Sequence, residues 1–186
     1  MPQPLTPTPE SILRTYFRAK DENRPHLLDR VFSPDATLDV RNASASIAFP
    51  AETVGRDAIA DVLVRRFGQI HENVYSFYVG RPPDAAAAFR CDWLVCMSEK
   101  DSKRVRVGCG RYDWQFQAAP PHLASRLTIT IEAMLVLPPP LWESISSWLG
   151  ELNYPWSSAG AVAAAAPGIG MLAPVLRYLG REENDA

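Results

Sequence analysis

The stretch FRCDWLVCMSEKDSKRVRVGCGRYDWQF, residues 89–116, decides the fold class of this chain of 186 residues. Aromatic and β-branched residues fill both of its halves, and the polar segment 98–103 separates them. Two such runs around a polar turn predict a long β-hairpin. The same composition predicts further strands at residues 74–79 and 126–137. The second half of the chain is therefore expected to form a mainly antiparallel sheet.

Three helices are predicted before this sheet. The first begins at Pro9, a residue whose fixed φ suits the first helical position. The second begins at Pro25, and the third follows Gly55 with its apolar residues on one stripe. A strand at residues 36–40 is expected between the second and third helices. Helices on one face of an antiparallel sheet make an α+β fold, and a sheet curved strongly around three of them leaves a conical cavity.

The composition is that of an ordinary globular protein and excludes several classes of function. Hydrophobic residues make up 47% of the chain, charged residues 22%, and the net charge is −2. Because nucleic-acid-binding proteins carry a strong positive field, no nucleic-acid partner is expected. The uncharged stretch 159–176 has the length of a membrane span, but Pro167, Pro174 and three glycines interrupt it. We therefore expect packed helical turns or a mobile tail there, and no membrane helix.

Cysteine and histidine usage bears on location and cofactors. Cys91, Cys96 and Cys109 are odd in number and lack C-x-x-C spacing, which fits a reducing cytoplasm rather than a disulfide framework. Residues 1–9 lack the apolar core of a signal peptide. The histidines lack metal-ligand spacing, and the chain has no Gly-rich phosphate loop. We therefore expect a cytoplasmic protein that uses no cofactor and no metal.

Three segments together resemble a known superfamily. LLDRVFSPDATLDV (27–40), VGRDAIADVLVRRF (54–67) and VGCGRYDWQF (107–116) are similar, in order and spacing, to the SnoaL-like branch of the nuclear transport factor 2 superfamily. The resemblance implies a cone-shaped α+β barrel with an apolar pocket, which often dimerises through the outer face of its sheet. It places the SnoaL-like domain in residues 1–140. A C-terminal helix and an Ala/Gly-rich tail, residues 141–186, would then pack on this domain or extend from it.

Limonene epoxide hydrolase is the closest enzymatic comparison, and the resemblance implies three catalytic residues. Arg90-x-Asp92 matches that family's Arg-x-Asp, and Glu132 falls near its second carboxylate. Residues i and i+2 of a strand share a face, so Arg90 and Asp92 are both expected to project into the pocket. An arginine between two carboxylates holds one ionised while the other keeps a proton, which supplies a base and an acid.

Other positions are expected to bind the ligand or to depart from the enzyme pattern. Tyr16 matches the donor tyrosine of ketosteroid isomerases, but Val40 replaces their base and Tyr112 falls near their second acid. Leu38 and Val40 also replace the tyrosine and asparagine that hold water in limonene epoxide hydrolase. Tyr16, Leu38, Val40, Phe67 and Tyr112 are therefore the predicted ligand-binding residues.

Two functions stay open at this point. The first is a cofactor-independent hydrolase, isomerase or lyase acting on a small apolar molecule. The second is a non-catalytic ligand-binding or dimerisation module, because Glu132 points outward if Leu127, Ile129 and Ile131 face the core. Arg90 and Asp92 would then form a structural ion pair. A homodimer is expected in both cases, since β-strand residues 91–96 look apolar on both faces.

Overall fold

The computed structural model describes residues 6–181. Residues 1–5, part of the segment in which no signal peptide is expected, and residues 182–186, the end of the predicted tail, lie outside the described residues. No helix in the described part of the chain is long and apolar enough to cross a membrane. Short helices divide the uncharged stretch 159–176 instead.

The elements alternate between helices and strands in the first half of the chain, and strands dominate the second. The first half comprises α1 (Pro9–Asp21), a 3₁₀ turn (Pro25–Arg30), β1 (Phe32–Asn42), β2 (Glu52–Val54) and α2, which spans residues 56–70. The strands that follow are β3 (His71–Val79), β4 (Ala88–Glu99), β5 (Val105–Phe116) and β6 (Ala124–Leu137). The chain continues through a 3₁₀ turn (Pro139–Leu141), α3 (Trp142–Gly150), β7 (Trp156–Ser157), α4 (Ala159–Ala165), a 3₁₀ turn (Gly170–Leu172) and α5 (Ala173–Leu179).

The seven strands form one curved, unclosed sheet in the order β2-β1-β6-β5-β4-β3-β7. Only two neighbouring pairs, β1–β6 and β3–β7, are parallel within the described residues. The predicted α+β fold, with N-terminal helices inside a mainly antiparallel sheet, is confirmed.

Register shifts bend the sheet around the helices. They fall in β1 between Phe32 and Thr37, in β3 between Glu72 and Tyr75, and twice between β5 and β6. An extra residue in one strand of a pair bends that strand and increases its twist. Gly110 stands at one of these shifts, where a Cβ would lie 1.9 Å from the Thr130 carbonyl oxygen. The absence of a side chain therefore lets β5 and β6 approach closely at this bend.

Two N-terminal elements differ from their predictions. The second predicted helix is a 3₁₀ turn, because β1 begins at Phe32 and leaves room for fewer than two helical turns. β1 is longer than predicted because Pro34 lies inside its register shift, where a proline costs the sheet no hydrogen bond. Helix α2 consists of α-helical Arg56–Ala60, π-helical Asp61–Arg66 and α-helical Phe67–Ile70. Short π-helical stretches often occur at functional sites.

Each face of the sheet carries its own hydrophobic cluster. On the inner face, side chains from α1, α2 and the strands pack together, including Tyr16, Trp93 and Trp114. On the outer face, Leu94 and Cys96 pack with the C-terminal segment, residues 138–181. The Trp148 indole of α3 is buried there and donates from Nε1 to the Val162 carbonyl oxygen at 3.1 Å. The apolar outer surface of β4, on which the dimer was predicted, is therefore covered by the C-terminal segment of the same chain.

Candidate functional site

A narrow cavity lies between the inner face of the sheet and helices α1 and α2. Its volume is about 50 Å³, and since one water needs about 10–15 Å³, it has room for about four waters. Tyr16 and Lys20 come from α1, and the π-helical stretch of α2 contributes Leu63. The remaining lining is Val40, Ile47, Phe49, Phe67, Trp93, Val95, Met97, Tyr112, Ile129, Ile131 and Met134.

The cavity continues into a wider mouth of about 320 Å³. Ile47, Phe49 and Phe67 line both spaces, and the mouth adds three basic side chains, Arg66, His71 and Arg106. The loop of residues 43–51 crosses this opening between β1 and β2. Together, cavity and mouth can hold a small ring with one substituent that reaches toward solvent.

Hydrogen bonds hold the loop 43–51 in place. Ser46 donates from its hydroxyl to the Met134 carbonyl oxygen at 2.6 Å, and its own carbonyl oxygen accepts from Arg106 Nη1 at 2.7 Å. Arg106 is held in turn by Glu99, to which its Nε donates at 2.8 Å. Hydrogen bonds from Ser102, Arg106 and Arg104 lower the pKa of Glu99 to about 2, so that carboxylate stays ionised at neutral pH.

Two buried groups of the cavity wall carry a hydrogen-bond donor that has no acceptor among the described residues, although the oxygen of one of them, Tyr16, interacts with the Tyr112 hydroxyl as its donor. They are the Tyr16 hydroxyl and the Trp93 indole Nε1, on side chains that are 0% and 3% exposed. Burial raises the pKa of Tyr16, and also that of Tyr112, above the ordinary tyrosine value, so both hydroxyls stay protonated. A buried donor without a partner costs about 1–3 kcal/mol. A ligand acceptor would recover that free energy.

Lys20 brings a buried positive charge to the cavity wall. Its residue is 8% exposed, and its Nζ donates to Asp21 Oδ1 at 2.7 Å and to Ser76 Oγ at 2.6 Å. The ammonium group also lies 5.5 Å from the ring centre of Phe67, which lines the cavity and the mouth. Pairing with Asp21 makes the buried charge tolerable.

His71 is the titratable group of the mouth whose state depends on burial. Burial lowers the pKa of His71, so the imidazole is neutral at pH 7. Its Nδ1 lies 3.3 Å from the Phe67 carbonyl oxygen, and the Phe67 and His71 rings are 4.5 Å apart. A proton placed on Nδ1 to donate to that carbonyl leaves Nε2 as an acceptor.

The prediction that Arg90 and Asp92 project into the pocket is wrong. Cys91, Trp93 and Val95 face the inner cluster, so strand alternation turns Arg90 and Asp92 to the outer face. Arg90 forms an ion pair with Asp113 of β5. Asp92 accepts from the Tyr178 hydroxyl at 3.2 Å, and its two oxygens lie 2.9–3.0 Å from the Arg181 guanidinium.

Glu132 does not complete the predicted unit either. It is the unpaired residue at the register shift between β5 and β6, opposite the step from Cys109 to Gly110, and its side chain is exposed. The two carboxylates and the arginine of the predicted site therefore do not meet in the cavity. Asp92 instead anchors the end of the C-terminal segment.

Four of the five predicted ligand-binding residues lie at the cavity. Tyr16, Val40, Phe67 and Tyr112 line the cavity, whereas Leu38 is fully buried in the inner cluster and does not line it. Sequence reasoning missed Lys20, although it follows Tyr16 by four positions and so shares its helix face. It also missed Trp93, because nothing in the sequence marks its indole nitrogen as unpartnered.

The described part of the chain has no cluster of side chains that could bind a metal ion. Residues 6–181 contain no group of three or more His, Cys, Asp or Glu side chains arranged to hold an ion. The three cysteines are buried, and burial raises the pKa of each thiol. They are therefore protonated and unreactive at neutral pH.

The curved sheet, the helices inside it and the cavity between them define a protein of the nuclear transport factor 2-like class. The chain belongs to the SnoaL-like domain family, whose model matches residues 10–120. No curated protein matches the chain.

Solved structures with the same fold cover about two thirds of the chain. A nuclear transport factor 2-like superfamily protein from Salmonella enterica serovar Typhimurium has 16% identity and a TM-score of 0.54, covering 67% of this chain and 88% of its own. A protein with a ketosteroid isomerase-like fold from Catenulispora acidiphila, in complex with trimethylamine, has 17% identity and a TM-score of 0.52, covering 66% and 85%. A hexachlorocyclohexane dehydrochlorinase has 11% identity and a TM-score of 0.53, covering 68% and 84%. At these identities the likeness shows the fold alone.

Proposed function

We propose that this protein binds a small, mainly apolar molecule in the cavity and that the molecule carries a hydrogen-bond acceptor. The observation that carries the proposal is the pair of buried donors without an acceptor, Tyr16 Oη and Trp93 Nε1, in a wall whose other residues are apolar apart from Lys20 and Tyr112. Ligand sites are typically apolar with a few placed polar groups, as here. Because the cavity alone holds about 50 Å³, the ring would lie across the cavity and its mouth, and its acceptor would satisfy one or both donors.

Calorimetric titration with a matched pair of ligands tests this proposal. Acetophenone offers a carbonyl acceptor, and ethylbenzene has nearly the same shape without it. We expect both to bind, with acetophenone tighter. Tyr16→Phe and Trp93→Phe should each weaken acetophenone binding by about tenfold or less, the value of one hydrogen bond, and leave ethylbenzene unchanged.

Two further variants make the test specific to the cavity. Val40→Phe places a larger side chain in the cavity wall and should weaken both ligands. Tyr75→Phe alters a tyrosine that is 46% exposed and does not line the cavity, so it should weaken neither. Absence of binding by both ligands to the folded protein would contradict the proposal.

A second candidate function is proton transfer by His71. It is favoured by the neutral imidazole at the mouth, beside Phe67. As a general base, Nε2 would take a proton from the carbon next to a bound carbonyl, and the electron pair would move to the carbonyl oxygen held by the two donors. No carboxylate among the described residues lines the cavity or the mouth, so His71 is the base that the lining supplies.

Deuterium exchange distinguishes this enzyme from a binding module. The wild-type protein in D₂O should accelerate exchange of the methyl protons of acetophenone, followed by NMR. His71→Gln should abolish the acceleration and leave the affinity for acetophenone unchanged. A wild-type rate equal to that of the buffer would contradict catalysis and favour the binding module.

The homodimer and the cytoplasmic location stay predictions. Leu94 and Cys96, part of the apolar surface that motivated the dimer, pack against the C-terminal segment. A second copy would therefore pack on the surface of that segment or along an edge strand. Sedimentation velocity at micromolar concentration tests the dimer, and a single monomer boundary would contradict it.

A further inference from the structure

The buried ammonium group of Lys20 has unused hydrogen-bonding capacity. A lysine carries three N–H donors, and two of them go to Asp21 Oδ1 and Ser76 Oγ. The third has no hydrogen-bond partner among the described residues. Because Lys20 lines the cavity beside Phe67, this donor is available to a molecule bound there.

Asp21, the carboxylate that pairs with Lys20, does not line the cavity. Asp21 lines an outer groove with Tyr75 and Tyr154, whereas Lys20 lines the cavity. The Asp21 oxygens also accept from the Ser76 hydroxyl and the Ser76 backbone N–H, each at 2.8 Å. Of the two paired residues, Lys20 lines the cavity and Asp21 lines the outer groove. A ligand in the cavity meets the positive partner of the pair first.

The remaining charges around the cavity have the same sign. Among the described residues that line the cavity and its mouth, the charged side chains are Lys20, Arg66 and Arg106, and none is Asp or Glu. Arg66 and Arg106 are paired with Asp61 and Glu99, which do not line either space. The polar groups that can face a ligand are thus donors or cations, with the neutral His71 at the rim.

We propose that the ligand of this cavity is a small cyclic carboxylic acid, bound as the carboxylate. The inference rests on the proposed function, because it concerns the same cavity. One carboxylate oxygen accepts from Lys20 Nζ, and the donors of Tyr16 and Trp93, which line the same cavity, are offered to the remaining lone pairs of the head group. The ring packs on Phe67 and the aliphatic lining. We expect organic cations to bind more weakly, because Lys20, Arg66 and Arg106 repel them and no carboxylate among the described residues lines either space.

Four probes of one size test the inference by calorimetric titration at pH 7.5. Benzoate carries the carboxylate, benzamide the neutral acceptor, benzylamine a positive charge, and toluene no polar group. We expect benzoate to bind at least about tenfold more tightly than toluene, the usual scale of one charge-assisted hydrogen bond. Benzamide should fall between these two, and benzylamine should give no measurable binding.

A double substitution of Lys20 and Asp21, which keeps the net charge unchanged, tests whether Lys20 causes the preference for benzoate. The double variant Lys20→Met with Asp21→Asn removes both buried charges and keeps the acceptor for the Ser76 N–H, so the fold does not retain an unpaired buried carboxylate. It should reduce the affinity for benzoate to that for toluene and leave toluene unchanged. Lys103→Met removes an exposed lysine that lines neither the cavity nor its mouth, and should change neither ligand.

The outcomes separate this inference from the proposed function. Equal wild-type affinities for benzoate and toluene would overturn the carboxylate inference and leave the apolar cavity as a binding site. Retention of the benzoate preference in the folded double variant, checked by circular dichroism, would also overturn it. Failure of all four probes to bind would instead contradict the proposed function itself.

Discussion

The two faces of β4 and β5 are built by the same strands and behave in opposite ways. Inward, Trp93 and Tyr112 line a cavity, and the indole nitrogen of Trp93 has no partner among the described residues. Outward, Leu94 and Cys96 pack in a cluster with Trp148, whose indole nitrogen donates to a carbonyl oxygen. The inner face thus holds unsatisfied donors around open space. On the outer face the buried indole nitrogen of Trp148 has its acceptor.

This difference supports the proposal that the outer face serves stability and the inner face serves binding. Burial of a polar group costs free energy unless a hydrogen bond compensates it. On the outer face the C-terminal segment supplies that compensation, including the contacts of Tyr178 and Arg181 with Asp92. On the inner face, the donors of Tyr16 and Trp93 have no such compensation among the described residues. Substitutions on the outer face should therefore change stability, and those on the inner face should change ligand affinity.

The largest expected effect is that of Trp148→Ala on the outer face. The indole is 1% exposed, and its removal leaves a cavity and a carbonyl without its donor. We expect the free energy of unfolding to fall by about 3–5 kcal/mol, measured by urea denaturation. Tyr154→Ala removes an aromatic ring that is 53% exposed on the same side and should cost much less. Equal losses for the two variants would contradict the importance of the outer cluster.

The second effect concerns the bend that shapes the inner face. At Gly110 an added Cβ would meet the Thr130 carbonyl oxygen at 1.9 Å and Trp93 Cζ2 at 2.7 Å. Gly110→Ala should lower the free energy of unfolding by roughly 1–3 kcal/mol, because the backbone of β6 must move. Gly150→Ala places the same methyl group in open space and is the matched control. A Gly110→Ala protein as stable as the control would show that β5 and β6 can separate at no cost.

A third and smaller effect separates the anchoring of the C-terminal segment from catalysis. Asp92→Asn weakens the contacts with Tyr178 and Arg181, and since Arg181 is 35% exposed we expect a loss of only about 1 kcal/mol. Acetophenone affinity should not change, because Asp92 faces away from the cavity. The exposed Asp84→Asn serves as control. A loss of ligand affinity in Asp92→Asn at unchanged stability would show that Asp92 contributes to ligand binding.

The sequence predicted the fold better than the site, and the reason is physical. Alternation along β4 and the helical stripe of α2 depend on local periodicity, which fixes which residues share a face. Periodicity does not say which of two apolar faces of β4 meets the helices. The choice between Arg90 with Asp92 and Trp93 with Val95 as the inward set therefore depended on the resemblance to an enzyme, and it was wrong.

Other parts of the site could not be inferred from one sequence. Tyr16, through the resemblance to ketosteroid isomerases, and Phe67 were predicted to bind the ligand, and both line the cavity. Leu38 shares the inward phase of β1 with Val40, but it is buried deeper in the cone and does not reach the open space. The pairing of Lys20 with Ser76 joins residues 56 positions apart. Contacts at that separation follow from the assembled fold and have no local pattern.

The smallest expected effect is the pH dependence that His71 adds at the rim of the inner face. Burial lowers the pKa of His71 in the folded protein below the ordinary value near 6.5 of the unfolded chain. Protonation therefore favours unfolding, so this stabilising contribution is complete above about pH 6.5 and is lost as the pH falls from there toward the lowered pKa. Urea denaturation at pH 7.5 and 5.5 should show a larger loss of stability for the wild type than for His71→Gln. The exposed His26→Gln should retain the wild-type difference. If His71→Gln retains the difference as well, the imidazole is not buried in its neutral form, and the comparison of the two faces loses the imidazole that it assigns to the ligand side.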